Sequence, residues 1–281
     1  MGVIDAHVHL WSLATPGHEW PTAETPALHR DFGAEDLRSA ASGVGLDGVV
    51  LVQSQPTDAD TDWMLAVAAH DPLVLGVVGW VDLAAPDAPT RIASLAANRK
   101  LRGLRPMLQS IDDTDWLLGH GLAPAVRAMI DHGLTFDALV QPRHLPMLEK
   151  FAARWPDLPV VIDHGAKPDA APGMADRWRD GMASLAAAGA WCKLSGLRTE
   201  QAPGASADAL AGYVAHLVAS FGPRLMWGSD WPILARDGVT CRSWFDDAAR
   251  LTGSQGGDKA RLFAGAAEQF YSLEAQAGDE Q

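Results

Sequence analysis

Eight short runs rich in valine, leucine and isoleucine recur along the chain, separated mostly by helix-patterned stretches, and this alternation constrains the fold more than any other feature. The runs cover approximately 3–11, 47–54, 74–82, 101–107, 134–140, 159–165, 190–196 and 224–230. Between them lie segments such as DWMLAVAAHD, LAPAVRAMIDHG, HLPMLEKFAARW and DALAGYVAHLVASF, whose apolar residues recur at three and four positions, as a helix covering a sheet requires. Near-continuous apolar strands are the mark of a parallel sheet buried on both faces. Eight strand–helix units predict an α/β fold closed into a (β/α)8 TIM barrel. The alternative is an open doubly wound sheet, but no GxGxxG follows the first strand and no phosphate-loop signature occurs.

At 281 residues the chain suits one barrel domain spanning 1–281. Hydrophobic residues make up 48% and charged residues 20%, enough for a large core and unlike a disordered chain. A net charge of −13, with 22 Lys and Arg against 35 Asp and Glu and no basic run, speaks against a nucleic-acid partner. No apolar run reaches the roughly 18 residues of a membrane span. Strand-like VIDAHVHLW begins almost at once after Met1, so no secretory leader is expected. Cys192 and Cys241 sit in no CxxC and no Cys/His cluster, which disfavours disulfides and structural zinc and fits the cytoplasm. The least structured stretches are 12–33, 166–174, 200–206 and the tail after Leu273. The first three follow strands one, six and seven, which places them on the C-terminal face, where barrel active sites lie.

The chemistry-bearing residues gather at predicted strand ends. Asp5, His7 and His9 share one parity of the first strand and Ile4, Ala6, Val8 and Leu10 the other, so the polar set is expected to face the axis. Two imidazoles from alternate strand positions can bind one ion or, without metal, orient a water or a carbonyl oxygen. His164 shares parity with Val160 and Ile162 and is expected to point inward at the top of the sixth strand; the bland reading is a satisfied core histidine. Asp230 ends the eighth strand just before Pro232; it is either a turn or cap residue or, beside three imidazoles, a general base or metal ligand. Arg105, at the end of the fourth strand, needs an anionic or polar partner: a substrate oxygen, or a barrel acid such as Asp82 or Asp137. Gln53, Gln55 and Trp80 end strands two and three as candidate pocket lining. Lys167 and Lys193 serve the same pocket or form structural ion pairs. Trp11, Trp20 and Trp231 near the same face either stack on a sugar ring or pack the loops together.

The motifs VIDAHVHLW, VGWVDL, LRGLRPMLQ, VVIDHGAKP, WCKLSGL and RLMWGSDWP, in this order from Val3 to about Tyr271, resemble the amidohydrolase-related (amidohydrolase 2) family. Within it they look like the branch of TIM-barrel lactonases of the L-fuconolactonase and L-rhamnonolactonase type. The resemblance implies hydrolysis of a small lactone, foremost a sugar-acid 1,4-lactone, with His7, His9, His164 and Asp230 as the core of the site. It implies Arg105, Gln53, Trp80, Lys167 and Trp231 as substrate-binding candidates. Members of this branch differ in metal use, so the expectation is one divalent ion, zinc foremost, on His7, His9, His164 and Asp230, or catalysis without metal. A binuclear centre is not expected: the fourth strand offers Arg105 and no bridging Lys or Glu, and the fifth strand, LTFDALV, has no His. Pro106 stands where sugar lactonases of this kind commonly carry His. The other readings are lactone isomerisation or metal-assisted decarboxylation on the same scaffold, or a barrel that binds a sugar acid without turnover. A homo-oligomer is compatible with all of them.

Overall fold

The structure, a computed structural model, describes residues 2–168, 174–202 and 204–273. The central part of the expected 166–174 loop, Pro203 of the 200–206 loop, and the tail beyond Leu273 lie outside the described residues. Eight parallel strands follow in chain order around one sheet: β1 (Ile4–Val8), β2 (Gly48–Val52), β3 (Val74–Gly79), β4 (Leu101–Leu104), β5 (Thr135–Ala138), β6 (Val160–Ile162), β7 (Trp191–Leu194) and β8 (Leu225–Trp227). Just beyond the end of β8 the chain returns to β1, where Asp230 N donates to His7 O at 2.9 Å and His9 N to Trp231 O at 2.8 Å. This is a (β/α)8 TIM barrel. All eight strands fall inside the predicted runs. They are shorter because the C-terminal part of each run bends into the loops that carry polar side chains.

The covering helices are α1 (Ala34–Ala40), α2 (Asp58–His70), α3 (Ala88–Ala96), α4 (Ala123–Asp131), α5 (Leu145–Arg154), α6 (Met174–Ala187), α7 (Ala211–Phe221) and α8 (Cys241–Gly253). Their limits follow ordinary chemistry. Thr57 caps α2 by accepting from Asp60 N, and Thr240 caps α8 by accepting from Ser243 N. Proline occupies the first turn of α3, α4 and α5, where its missing N–H costs nothing. α7 buries Val214, Leu217 and Phe221, one stripe at helical spacing. No helix among the described residues is long and apolar enough to cross a membrane.

Two apolar layers result. The outer one joins strand residues such as Val49, Leu51, Phe136, Ile162, Cys192 and Leu194 to the helices. The inner one fills the axis with Ile4, Ala6, Val50, Val52, Val78, Val161 and Met226, and is continuous with Ala267, Phe270, Tyr271 and Leu273 of the C-terminal segment that includes α9 (Ala266–Phe270). Tyr271 reaches Asp137 on β5 from that segment, so the segment plugs the end of the barrel opposite the loops that follow the strands.

The inner layer corrects the expected phase of two strands. Ile4 and Ala6 face the axis, whereas Asp5 accepts from Ser229 N at 2.8 Å, and its charge bears on Cys241 of α8. A register shift between Asp5 and Val8 then reverses the alternation, so that His7 and His9 turn inward while Val8 and Leu10 join the outer layer. On β6 the inward parity belongs to Val161 and Asp163, and Val160 and Ile162 pack outward. His164 arrives at the axis by another route. The strand stops at Ile162, and His164 and Gly165 adopt left-handed backbone angles, with φ of 54° and 55°.

Candidate metal and hydrolytic site

Four donor atoms converge above the inner apolar layer. Nε2 of His7 lies 3.2 Å from Nε2 of His9 and 3.7 Å from Oδ1 of Asp230. The same carboxylate oxygen is 3.4 Å from His9 Nε2 and 3.9 Å from His164 Nε2. Backbone at two neighbouring points makes this possible. At Gly228 a Cβ would stand 2.6 Å from His7 Cβ, and at Gly196, with φ +61°, it would stand 2.4 Å from His164 Nδ1. Asp230 has φ 60°, which aspartate tolerates better than most residues and which aims its carboxylate back over β1.

The far side of each ring is also engaged. His9 Nδ1 is 2.8 Å from Val52 O, and because a carbonyl only accepts, Nδ1 carries the hydrogen and the Nε2 of neutral His9 is bare. His164 Nδ1 meets Ser195 Oγ at 2.9 Å. His7 Nδ1 faces Lys193 Nζ at 3.1 Å and Asp163 Oδ1 at 3.4 Å. Burial is the largest influence on the imidazoles. It drives His7 well below the ordinary histidine value, helped by Lys193, and takes His164 down to about 4 against the pull of Asp230. Burial alone would raise Asp230, but the neighbouring imidazoles of His164, His9 and His7 outweigh it and hold the carboxyl well below its usual range. His7 and His164 are thereby driven toward the neutral form while Asp230 is held ionised, which sets imidazole nitrogen against carboxylate oxygen. Such atoms repel at 3.2–3.9 Å unless a proton or a metal cation lies among them.

Those spacings suit one. Four ligands at the 2.0–2.2 Å of zinc–nitrogen and zinc–oxygen bonds in a tetrahedron stand about 3.3–3.5 Å apart. His7, His9 and Asp230 form one candidate ligand group, and His7, Asp163 and His164 another. His7 belongs to both, and Asp163 is already occupied by cations. The donor chemistry is that of a divalent metal site.

Beneath the four donors lies a buried ionic layer. Lys193 Nζ is 2.5 Å from Asp137 Oδ2 and 3.1 Å from Asp163 Oδ1, and Arg105 Nη1 is 3.2 Å from Asp163 Oδ2. Burial would raise Asp163, but Lys193, His7 and Arg105 pull it well below its usual range. At Asp137 burial wins and pushes the carboxyl up. The side chains of His9, Asp230, His164 and Arg105 keep 7%, 5%, 5% and 3% exposure, while those of His7, Asp163, Lys193 and Asp137 keep none. A small molecule therefore meets the first group from the loop side, and the second supports it from below.

The remaining sequence candidates are spread around this centre. Arg105 points inward, but its acidic partner is Asp163 and not Asp82 or Asp137; Asp82 is exposed and caps a turn through Ala84 N. Gln53 and Arg105 clasp each other: Arg105 Nη2 donates to Gln53 O at 2.5 Å and Gln53 Nε2 to Arg105 O at 2.9 Å. Gln55 instead ties down the first loop, donating to Trp20 O and accepting from Glu19 N at 3.1 Å and Trp20 N at 3.3 Å. Trp80 is half-buried, its backbone held by Thr61. Lys167 pairs with Glu200 at 3.2 Å, and Trp231 is buried with its ring 5.3 Å from that of Phe32. Asp163, Ser195 and Tyr271 escaped sequence reasoning. For Asp163 a signal existed, since it shares parity with apolar Val161 immediately before His164.

Known proteins resemble this chain along almost its whole length. The amidohydrolase family profile matches residues 4–273. An L-fucono-1,5-lactonase from Burkholderia ambifaria is 44% identical over 99% of this chain and 98% of its own length. Another, from Burkholderia multivorans, is 32% identical over 96% of each chain. A crystal structure of an amidohydrolase from Burkholderia multivorans with bound zinc superposes with a TM-score of 0.89, at 30% identity, covering 98% of this chain and 100% of that one. With a matching fold, a matching profile and full-length relatives, the chain belongs to the amidohydrolase family.

Proposed function

We propose that this protein is a lactonase that opens a sugar-acid lactone by adding water to the ester carbonyl, with His7, His9, His164 and Asp230 at the reacting centre. The observation that carries the reading is the convergence of three imidazole Nε2 atoms and one ionised carboxylate at the loop end of the barrel, in a chain 44% identical to an L-fucono-1,5-lactonase. Both curated lactonase relatives are named for a 1,5-lactone, which favours a six-membered ring over the 1,4-lactone expected from sequence. We take the chain to act as one domain in the cytoplasm; both cysteines are free and buried.

His7, His9, His164 and Asp230 are the ligands in this proposal, and zinc is the ion, as in the related crystal structure. A divalent ion held there supplies Lewis acidity, drawing electron density from the ester carbonyl and making water a stronger acid. Asp230 is the proton acceptor: its carboxylate is ionised at neutral pH and lies on the exposed side of the donor set, where it can take a proton from an attacking water. Arg105 Nη1 lies 3.4 Å from His7 Nε2, so its positive charge stands beside the place where the carbonyl oxygen gains charge in the transition state. His9 and His164 flank that position, each fixed from behind through Nδ1 by Val52 O and Ser195 Oγ. Ring opening leaves a carboxylate and a hydroxyl on one product molecule.

The test is a pH-indicator assay on L-fucono-1,5-lactone and L-fucono-1,4-lactone, using protein as purified, after chelation, and after zinc is restored, with elemental analysis of each sample. Turnover of the 1,5-lactone and one ion per chain are expected. Absence of turnover on any sugar lactone overturns the activity. Full activity in a chelated sample free of metal overturns the role given to the ion.

A further inference from the structure

His7 Nδ1 has two close neighbours that ask for opposite tautomers. Lys193 Nζ, 3.1 Å away, only donates and wants a bare Nδ1; Asp163 Oδ1, 3.4 Å away, only accepts and wants Nδ1–H. The choice matters at the other end of the ring, because only the Nδ1–H tautomer leaves a lone pair on Nε2 for an ion.

Three observations favour Asp163. First, Asp163 Oδ1 is buried without a hydrogen bond, and an Nδ1–H on His7, 3.4 Å away, is the donor it lacks, whereas Lys193 has Asp137 Oδ2 at 2.5 Å to donate to. Second, Arg105 Nη1 approaches His7 Nε2 at 3.4 Å, and a guanidinium has nothing but hydrogens to offer, so it also requires a bare Nε2. Third, Arg105 Nη1 donates to Asp163 Oδ2 at 3.2 Å and the Lys193 charge stands 3.1 Å from Oδ1, and together they keep the carboxylate beside the ring.

We infer that Asp163 is the positioning residue that fixes His7 in its metal-ready tautomer, and that Lys193, Asp137 and Tyr271 form the strut that seats it. The strut runs the depth of the barrel: the Tyr271 hydroxyl donates to Asp137 Oδ2 at 2.6 Å, Asp137 holds Lys193, and Lys193 holds Asp163. The C-terminal plug is in this way connected to a ligand atom at the opposite end. Asp163 orients the ligand and is not itself a ligand, since both its oxygens face cations. This inference rests on the metal reading above.

The test reads tautomer and affinity apart from turnover. Nitrogen NMR of histidine-labelled wild-type protein, metal-free and zinc-loaded, is expected to show His7 as Nδ1–H in both forms. His7 as Nε2–H in the metal-free protein would mean that Lys193 owns Nδ1, and would overturn the inference. Zinc affinity, measured by competition with a chromophoric chelator, is expected to fall about 10- to 100-fold in Asp163→Asn and by a smaller factor in Tyr271→Phe. Unchanged affinity in a folded Asp163→Asn protein would also overturn it. If Asp163→Asn does not fold, the wild-type spectra and Tyr271→Phe still decide. Wild-type protein that binds no zinc would sink the metal reading instead, while the metal-free spectrum would still report the tautomer.

Discussion

Nε2 of His7 and Nε2 of His9 stand 3.2 Å apart at the tip of one strand, and the chain needs a break in strand regularity to bring them there. Without the register shift after Asp5, the parity that places Ile4 and Ala6 on the axis would send both imidazoles out among the helices. Asp230, 221 residues or more away in sequence, completes the group from the end of β8, hydrogen-bonded through its own N–H to His7 O.

Asp230→Asn separates chemistry from folding. Asparagine accepts the left-handed backbone at this position as readily as aspartate and keeps the shape of the side chain. The amide cannot take a proton from water and brings no negative charge to the donor set. Turnover is expected to fall by about 10²–10⁴-fold, the usual worth of general-base catalysis, with the melting temperature near that of wild type. A variant that keeps more than about a tenth of the activity would remove Asp230 as the base.

Arg105 yields a pair of linked expectations. Arg105→Met leaves Asp163 with Lys193 as its remaining cation, so the loss of stability should fall below the roughly 3 to 5 kcal/mol typical of stranding one member of a buried pair. Lactone turnover should fall sharply in the same protein. Arg105→Lys keeps the charge but loses the fork that joins Asp163 Oδ2, Gln53 O and His7 Nε2, so its activity should lie between the two. Melting temperature and kcat/KM on both variants check this, and wild-type turnover in Arg105→Met would exclude the guanidinium from the reaction.

Both thiols should be inert in the folded protein. Burial pushes the Cys241 thiol up to about 12, with the charge of Asp5 adding to it, and burial raises Cys192 further. A raised thiol pKa keeps the unreactive protonated form well above neutral pH. An aromatic disulfide reagent at pH 8 should therefore find no thiol in native protein and two per chain in denaturant. Prompt labelling of the native protein would contradict the packing around α8 or β7.

Barrel strands were legible because parallel strands buried on both faces leave long apolar runs that need no partner information to find. His7, His9, His164 and Asp230 were legible for a related reason: polar residues at the ends of such runs have few places to go except the loop face. What was hidden depends on backbone irregularity or on contacts distant in sequence. Strict alternation cannot foresee the shift after Asp5 or the left-handed His164; it misplaced Ile4, Asp5 and Ala6 on the first strand, though not His7 and His9, and reversed the sixth. It also chose Val160 and Ile162 over Val161 as the inward set, and with that choice Asp163 was lost. The ties of Arg105 to Asp163 and of Tyr271 to Asp137 span 58 and 134 residues, and nothing local distinguishes these partners from Asp82 or from any other buried aromatic.

We propose Trp20 as the tryptophan that meets the sugar. Trp11 and Trp231 are buried around Phe32, whereas Trp20 keeps 41% of its surface exposed and is the large apolar side chain so exposed among the described residues. Its open indole face offers a platform on which the apolar C–H face of a sugar ring can stack. Its backbone is not free to wander: Gln55, just past the end of β2, holds both the N–H and the C=O of Trp20, and the indole edge rests against Trp11. Trp20→Ala should therefore raise KM for the lactone by about two- to tenfold, the equivalent of a stacking contact of roughly 0.5–1.5 kcal/mol. kcat should hardly change, because the side chain touches no group of the reacting centre. Gln55→Ala keeps the indole but releases the loop, and it should raise KM in the same direction. Steady-state kinetics on both variants decide the matter, and a wild-type KM in Trp20→Ala would leave the exposed ring without a role in substrate binding.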